Sequence, residues 1–343
     1  MLNNIIDSNK VAQFQEFLNT YSTFAIVGHI GPDGDAVGSS LGLAHLLDQL
    51  GKKVTIITPN AFPEFLQWLP GSEKIIFFDE NLETATKLLT EAEVVCMLDF
   101  NTQSRVGDLM EPVLRNVSGK KVMIDHHLHP EACCDITMSY PKTPATSVLV
   151  FHLIEALGYY PNMTKEQAEC LYTGMMTDTG SFTYNSNDKD LYQIISLLLD
   201  KGIDKDAIYR KVNNTYSENR LRLMGYVLTN MKVYPQNAAL LTLTDAEQEK
   251  YNFVKGDSEG FVNIPLSIKN VIFSCFLKED KELNMIKISL RSVGAFPCNE
   301  VAKEFFNGGG HLNASGGEFF GTMEDAIARF EQALIKYEPL LVR

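Results

Sequence analysis

The chain is poor in cysteine, tryptophan and positive charge. Its six cysteines (Cys96, Cys133, Cys134, Cys170, Cys275, Cys298) include no CxxC pair. Several lie inside apolar runs, where cysteine packs as a small hydrophobe, so a disulfide framework and a zinc knuckle are both disfavoured. The single tryptophan, Trp68 in Phe65-Leu-Gln-Trp68-Leu-Pro70, is expected to pack a loop onto a sheet. Tyr21, Phe24, Phe77, Phe78 and Phe100 read as core rather than as platforms for stacked bases. Lysine and arginine number 30 against 43 acids, a net charge of −13. Coating long nucleic acid needs a basic track that displaces counterions, so no long duplex is expected as a partner. A phosphate-bearing substrate should be small or present a short terminus. No apolar window reaches the roughly 18 residues of a membrane span, and Met1–Thr20 lacks the apolar core of a signal peptide. The expectation is a cytoplasmic protein with no membrane partner.

At 343 residues the chain exceeds what one core usually supports, and 45% hydrophobic with 21% charged residues is ordinary globular composition; two domains are expected. Over the first 190 residues or so, apolar stretches at Phe24–Gly28, Val54–Thr58, Val94–Leu98 and Val122–Ile124 have the continuous character of parallel strands buried on both faces. Between them, Ala36–Leu50, Leu82–Ala92 and Ser104–Val117 read as helices. The pattern predicts an α/β fold, doubly wound around a mainly parallel sheet. Further helices are predicted at Ala145–Leu157, opened by Thr146 or Ser147, and at Lys165–Met176, capped by Thr164 with Gln167 at the third helical position. In the last third, Ala238–Leu243, Val271–Leu277 and Met285–Leu290 read as strands and Cys298–Phe306 and Met323–Tyr337 as helices, a smaller α+β domain.

Acidic and histidine-bearing clusters recur through the first half: His29-Ile-Gly-Pro-Asp33-Gly-Asp35, then Asp99, then Asp125-His126-His127, with Asp178 following. His29, Asp99 and Asp125 each fall at the carboxyl end of a predicted strand, the edge along which open α/β sheets bind ligands. Pro32 and Gly34 break the first cluster into a tight loop from which two carboxylates project. The helix beginning near Ala36 aims its N-terminal amides at the same place, and Gly38-Ser39-Ser40 is expected to leave room for a phosphate. His129 reads as peripheral. Together these residues supply hard oxygen and imidazole ligands for two divalent cations, which points to a phosphoester hydrolase. In the last third, Arg291 ends a strand and is able to fork two hydrogen bonds onto a phosphate. The glycines at 308–310 are expected to let backbone approach an anion, with His311 adding a contact.

HxxPDGDxxGS, a lone Asp after a strand, Asp-His-His and a later TDTGSF together resemble the DHH phosphoesterase superfamily, which includes RecJ-type nucleases and family II inorganic pyrophosphatases. Arg291-Ser292 and Gly308-Gly309-Gly310-His311, followed by Asn313-Ala314-Ser315-Gly316-Gly317, resemble the DHH-associated C-terminal domain of the NrnA-like nanoRNase/pAp phosphatase group. The resemblance implies that His29, Asp33 and Asp99 bind one metal and that Asp35, Asp99, His126 and Asp178 bind a second, Asp99 bridging them. Two divalent ions are implied, usually Mn²⁺ and sometimes Mg²⁺ or Co²⁺. Asp125 would hold a ligand or the neighbouring imidazole in place. His127 would contact phosphoryl oxygens or protonate the leaving group, and Arg105 would orient the bridging carboxylate or lie on the surface. Arg291, Ser292, Gly309, Gly310 and His311 would grip a terminal phosphate. The implied layout is a catalytic domain over 1–195, a helical connector over 196–232 and a substrate-binding domain over 233–343, with the site in the cleft between the domains. Substrates would be short RNA oligonucleotides and 3′-phosphoadenosine 5′-phosphate (pAp), in a possible homodimer. A cyclic-dinucleotide or pApA phosphodiesterase, and a nucleotide sensor without catalysis, remain as alternatives.

Overall fold

The computed structural model describes residues 5–342; the first four residues of the Met1–Thr20 stretch lie outside them. Two compact units divide between Thr215 and Tyr216, inside the stretch 196–232 expected to connect two domains.

The first unit runs α1 (Ser8–Thr20), β1 (Thr23–Val27), α2 (Gly34–Gln49), β2 (Lys53–Thr58), β3 (Ile76–Phe77), α3 (Leu82–Glu91), β4 (Val94–Leu98), α4 (Gly107–Arg115), β5 (Lys120–Asp125), β6 (Ile136–Ser139), α5 (Thr146–Ala156), α6 (Lys165–Asp178), α7 (Lys189–Asp200) and α8 (Lys205–Asn213). Its strands form one parallel six-stranded sheet in the order β3-β2-β1-β4-β5-β6. The order reverses between β1 and β4, so a crevice opens beyond their carboxyl ends, where doubly wound sheets place ligands. Burial on both faces follows from the uninterrupted apolar runs. Phe24, Ile26, Cys96, Leu98, Val122 and Ile124 enter one core cluster, whereas Ala25, Val27, Val95, Met97 and Met123 enter another. That alternation is the two-residue period of a strand covered by helices on both sides.

Helix α2 meets α6 along glycines. A Cβ at Gly34, Gly38 or Gly42 would lie 2.3 Å from Thr177 Oγ1, 2.5 Å from the Cys170 carbonyl or 2.3 Å from Leu171 Cδ2. The room expected for a phosphate at Gly38-Ser39-Ser40 is therefore filled by α6, and both serines are fully buried. The spacing of four residues puts all three glycines on one face, and their loss of side chain is what lets two helix backbones touch.

Several elements differ from their sequence reading. Ser104–Val117, expected as one helix, breaks into a 3-10 turn at Gln103–Val106 and α4, because Gly107 adopts φ +78° between them. The short strands β3 and β6 and the helix α1 carried no strong pattern in sequence; Asp7 caps α1 by accepting from the Asn9 amide. Thr164 caps α6 as read, accepting from the Gln167 amide. Trp68 packs against the larger core cluster under the Lys211 ammonium, 4.1 Å from the ring centroid. All six cysteines are free thiols. Among the described residues no helix is long and apolar enough to cross a membrane.

The second unit runs α9 (Glu218–Thr229), β7 (Lys232–Tyr234), β8 (Ala238–Leu243), α10 (Asp245–Lys250), β9 (Phe273–Asp280), β10 (Met285–Ser292), α11 (Cys298–Phe305), β11 (Gly309–His311), β12 (Ala314–Phe319) and α12 (Met323–Tyr337). These form a mixed six-stranded sheet, β11-β12-β10-β9-β8-β7, in which β8 and β9 are parallel and the other pairs antiparallel. Phe273, Cys275 and Leu277 face one core with residues of α11 and α12, and Phe276 faces a second core with residues of α9.

Candidate metal centre

Each acidic or imidazole cluster reaches the crevice through a different device. His29 follows β1, and its Nδ1 bonds the Ile30 carbonyl at 2.9 Å, which leaves Nε2 facing Asp99 Oδ2 at 3.6 Å and Asp33 Oδ2 at 3.9 Å. Asp33 caps α2: its Oδ1 accepts from the Asp35 and Ala36 amides, and its Oδ2 stays turned to His29. Asp99 follows β4 in the left-handed region, φ +64°, a conformation aspartate tolerates better than most residues. Its amide donates to the Ile124 carbonyl. His126 bonds the Thr143 carbonyl through Nδ1 at 3.1 Å, and its Nε2 faces Asp99 Oδ1 at 3.5 Å and Asp178 Oδ2 at 3.4 Å. Asp178, implied by the family resemblance as a ligand of the second metal, is the last residue of α6.

The side chains so gathered form two sets of potential ligands, His29 with Asp33 and Asp99, and Asp35 with His126 and Asp178. Within each set the ligand atoms lie within 4.8 Å of one another. Asp99 also groups with His126 and His127, so it faces both sets. The donor chemistry fits divalent cations. A carbonyl only accepts, so His29 and His126 carry a proton on Nδ1 and turn their other nitrogen to carboxylates at distances too long for hydrogen bonds. The mixture of carboxylate oxygen and imidazole nitrogen suits a divalent ion of intermediate hardness.

Electrostatics point the same way. Burial and the charges of Asp99 and Asp178 push Asp35 well above the usual carboxylate range. Burial pushes Asp178 up to about 7, reinforced by Asp99 and Asp33 and opposed by His126. Burial raises Asp99 too, yet the neighbouring His29, His126 and His127 imidazoles hold it below its ordinary value. For His29, burial lowers the value, but Asp99 and Asp33 outweigh it and the group is raised. Several acids crowded around the buried Asp35 and Asp99 cannot all ionise without compensating positive charge, which divalent cations would supply.

Behind these side chains stands a layer of hydrogen bonds of which the sequence reading anticipated Asp125 but not Thr146 and Ser147. Thr146 and Ser147 open α5, and their amides donate to the two oxygens of the buried Asp35 carboxylate at 2.5 and 2.9 Å. The Thr146 hydroxyl donates to Asp99 Oδ1 at 2.9 Å. Thr146, expected as a helix cap, instead serves a carboxylate 47 residues away, and Ala145 holds the cap position. The only sequence signal was a pair of hydroxyl residues at a helix start. Asp125 is fully buried and accepts from both the His127 amide, 3.0 Å, and His127 Nδ1, 2.7 Å. It therefore orients His127 and not His126, and this hydrogen bond raises the His127 imidazole against the effect of burial.

Among the described residues no hydrogen bond or ion pair joins the exposed Arg105 to Asp99, whose Oδ1 instead accepts from the Thr146 hydroxyl. In the second unit, the partly exposed Arg291 donates from Nη1 to the Leu290 carbonyl. The Ser292 hydroxyl donates to the Phe296 carbonyl at 2.7 Å and receives the Asn313 amide nitrogen, so it ties a loop. Gly309 and Gly310 belong to the exposed edge strand β11, which ends at His311. A Cβ at Gly308 or Gly310 would strike the Gly316 or Ala314 carbonyl at 2.0 or 2.6 Å, whereas Gly309 faces open space. Two of the three glycines thus let β11 lie against β12, and one leaves backbone accessible.

Residues 23–175 match the family described as DHH family, N-terminal domain, and residues 237–337 match the DHHA1 domain. The chain is 30% identical to the bifunctional oligoribonuclease and PAP phosphatase NrnA of Thermus thermophilus, over 90% of this chain and 88% of the relative. A crystal structure described as an exopolyphosphatase-related protein from Bacteroides fragilis superposes with TM-score 0.97 at 62% identity, covering 99% of both chains. RecJ from Thermus thermophilus in complex with Mn²⁺ shares the fold at TM-score 0.55 and 14% identity, over 98% of this chain and 55% of that one.

Proposed function

Because the chain belongs to the DHH family, carrying that family's N-terminal domain ahead of a DHHA1 domain, and is a phosphoesterase of that family, we propose that it hydrolyses short RNA oligonucleotides to mononucleotides and pAp to AMP. The observation that carries the reading is Asp99 facing both ligand sets, His29 and Asp33 on one side and His126 on the other. In this proposal His29, Asp33 and Asp99 hold one divalent ion and Asp35, Asp99, His126 and Asp178 a second, with Mn²⁺ favoured. Bound ions there would activate water and neutralise phosphoryl charge.

The chain's own residues set up the rest. Asp125 accepts the Nδ1 proton of His127 and so fixes that ring; we assign to His127 Nε2 the proton delivered to the leaving oxygen, a general-acid role worth roughly 10²–10⁴ in rate. Thr146 and the α5 amides keep Asp99 and Asp35 in one rotamer each, so that no side-chain ordering is needed when substrate arrives. In the second unit, Arg291, His311 and the accessible backbone of Gly309 and Gly310 are assigned to a substrate phosphate, Ser292 acting through the loop it ties. A terminal-phosphate contact suits a chain of net charge −13 better than a long groove does.

The test is Mn²⁺-dependent hydrolysis of pAp, a 5′-phosphorylated RNA dinucleotide, cyclic di-AMP, pyrophosphate and a short polyphosphate, side by side at matched concentrations. Preference for the first two is expected. Preference for any of the others would overturn the substrate assignment and keep the metal chemistry, and Asp99→Asn should abolish turnover of whichever substrate is used.

A further inference from the structure

One guanidinium at the edge of the metal centre has no task in the fold. Arg105 lies in the turn Gln103–Val106 after β4, and its carbonyl accepts the Ile30 amide at 2.8 Å, tying its backbone to the residue that follows His29. Gly107 seals the same junction, since a Cβ there would lie 2.8 Å from Ile30 Cδ1. The backbone of Arg105 is thus part of the wall that carries a ligand histidine, while its side chain is exposed and has no hydrogen-bond or ion-pair partner among the described residues.

An unpaired arginine in this place needs a reason. Acids outnumber bases in the chain, and other arginines find partners: Arg115 pairs with Glu111 and Glu131, Arg222 with Glu218, and Arg220 binds three carbonyls. The leading charges acting on His29, Asp35, Asp99, His127 and Asp178 are carboxylates and imidazoles, and Arg105, which opposes protonation of His127, is the one lysine or arginine among them. Asp99 is already served by Thr146, so no carboxylate of the site claims the guanidinium. A planar fork of donors that remains free beside the residues of a phosphoesterase site is matched by a phosphoryl group.

We propose that Arg105 is a catalytic residue that binds substrate directly, its guanidinium forking onto non-bridging oxygens of the phosphate being cleaved. The proposal rests on the phosphoesterase reading and not on the choice of nucleotide. It explains how a strongly acidic chain presents a positive contact within the metal-binding unit itself. Lysine would give a point charge without the two parallel donors.

Two variants, Arg105→Ala and Arg105→Lys, test it in the full chain. Because Arg105 acts on the fold through its carbonyl, both should melt within about 1 °C of wild type and titrate Mn²⁺ with an unchanged midpoint by calorimetry. Inorganic phosphate, titrated onto the Mn²⁺-loaded protein, should bind about 10- to 100-fold more weakly to Arg105→Ala, with Arg105→Lys in between. The kcat for bis(p-nitrophenyl) phosphate should fall about 10²- to 10³-fold in Arg105→Ala, the size of effect seen when one donor to a developing charge is removed. Added guanidinium chloride should restore part of it. Unchanged phosphate affinity would overturn the proposal, as would loss of Mn²⁺ binding, which would make Arg105 a support for the metal ligands. Failure of the wild type on both pAp and RNA would instead sink the substrate reading, since the phosphate titration does not depend on it.

Discussion

The hydroxyl of Thr146 donates to Oδ1 of Asp99 across 2.9 Å in a fully buried setting. Asp99 faces both ligand sets, so a drift of this one carboxylate would spoil both. Thr146→Val keeps the shape and removes the donor, leaving a buried carboxylate oxygen short of one hydrogen bond. Mn²⁺ affinity measured by calorimetry should fall about 10- to 100-fold, as for other outer-layer partners of metal ligands. Thr146→Ser should restore it. Equal affinities for the Val and wild-type proteins would show that the hydroxyl only fills space.

Asp178 is pushed up to about 7 chiefly by burial and then by neighbouring carboxylates, so the metal-free protein carries repulsion there when the group is ionised. Asp178→Asn removes that charge without changing size. At pH 8 the metal-free variant should be more stable than wild type by about 1 kcal/mol, a rise in melting temperature of about 2–4 °C. Wild type should gain about 2.7 kcal/mol from Mn²⁺ at a hundredfold excess over its dissociation constant, and the variant should lose most of that gain. Differential scanning calorimetry with and without Mn²⁺ decides it; a variant that is less stable without metal would contradict the repulsion argument.

Legibility in the sequence followed the range over which each interaction acts. The strands β1, β4 and β5 were readable because burial on both faces demands unbroken apolar residues, and His29, Asp99 and Asp125 were readable because each lies at the carboxyl end of such a run. The DHH and DHHA1 assignment was equally plain in the motifs. What stayed hidden depends on partners distant in the chain. Nothing local marks Thr146 as a donor to Asp99 rather than a cap, or the Thr143 carbonyl as the anchor of His126. Gly38 looked like space for an anion because sequence shows the missing side chain and not the helix that takes its place.

That helix makes Gly38 a sensitive position. Alanine is the better helix former by about 1 kcal/mol, yet its Cβ would sit 2.5 Å from the Cys170 carbonyl, and backbone there cannot swing aside. Gly38→Ala should therefore lose a net ~1–3 kcal/mol, an overpacking cost that exceeds the propensity gain. Gly225, in α9, is the control, because nothing lies within 4 Å of the place an alanine methyl would take. Gly225→Ala should gain about 0.5–1 kcal/mol. Urea denaturation of both variants compares them, and a stabilised Gly38→Ala would mean that α2 and α6 separate easily.

His152 lies in α5, almost wholly buried, with no partner for Nδ1 among the described residues. It lines a cavity of about 380 Å³ whose walls also include Tyr140, Lys142, Thr143, Asp188 and Asp190. Burial lowers its tendency to protonate, and the partly compensating charges of Asp190 and Asp188 do not restore it. The folded chain thus holds His152 neutral at a pH where the unfolded chain binds a proton, so stability rises with pH across that window. His152 contributes fully above its ordinary value of 6.5, and its contribution is lost as pH falls from there through the depressed folded value. In His152→Leu the unpaired nitrogen and the titration both disappear. The variant should match or exceed wild-type stability at about pH 7.5, and its advantage should grow as pH falls from about 6.5 to about 5. Urea midpoints of the two proteins across that range measure the difference; parallel curves would mean that His152 keeps its proton in the folded state.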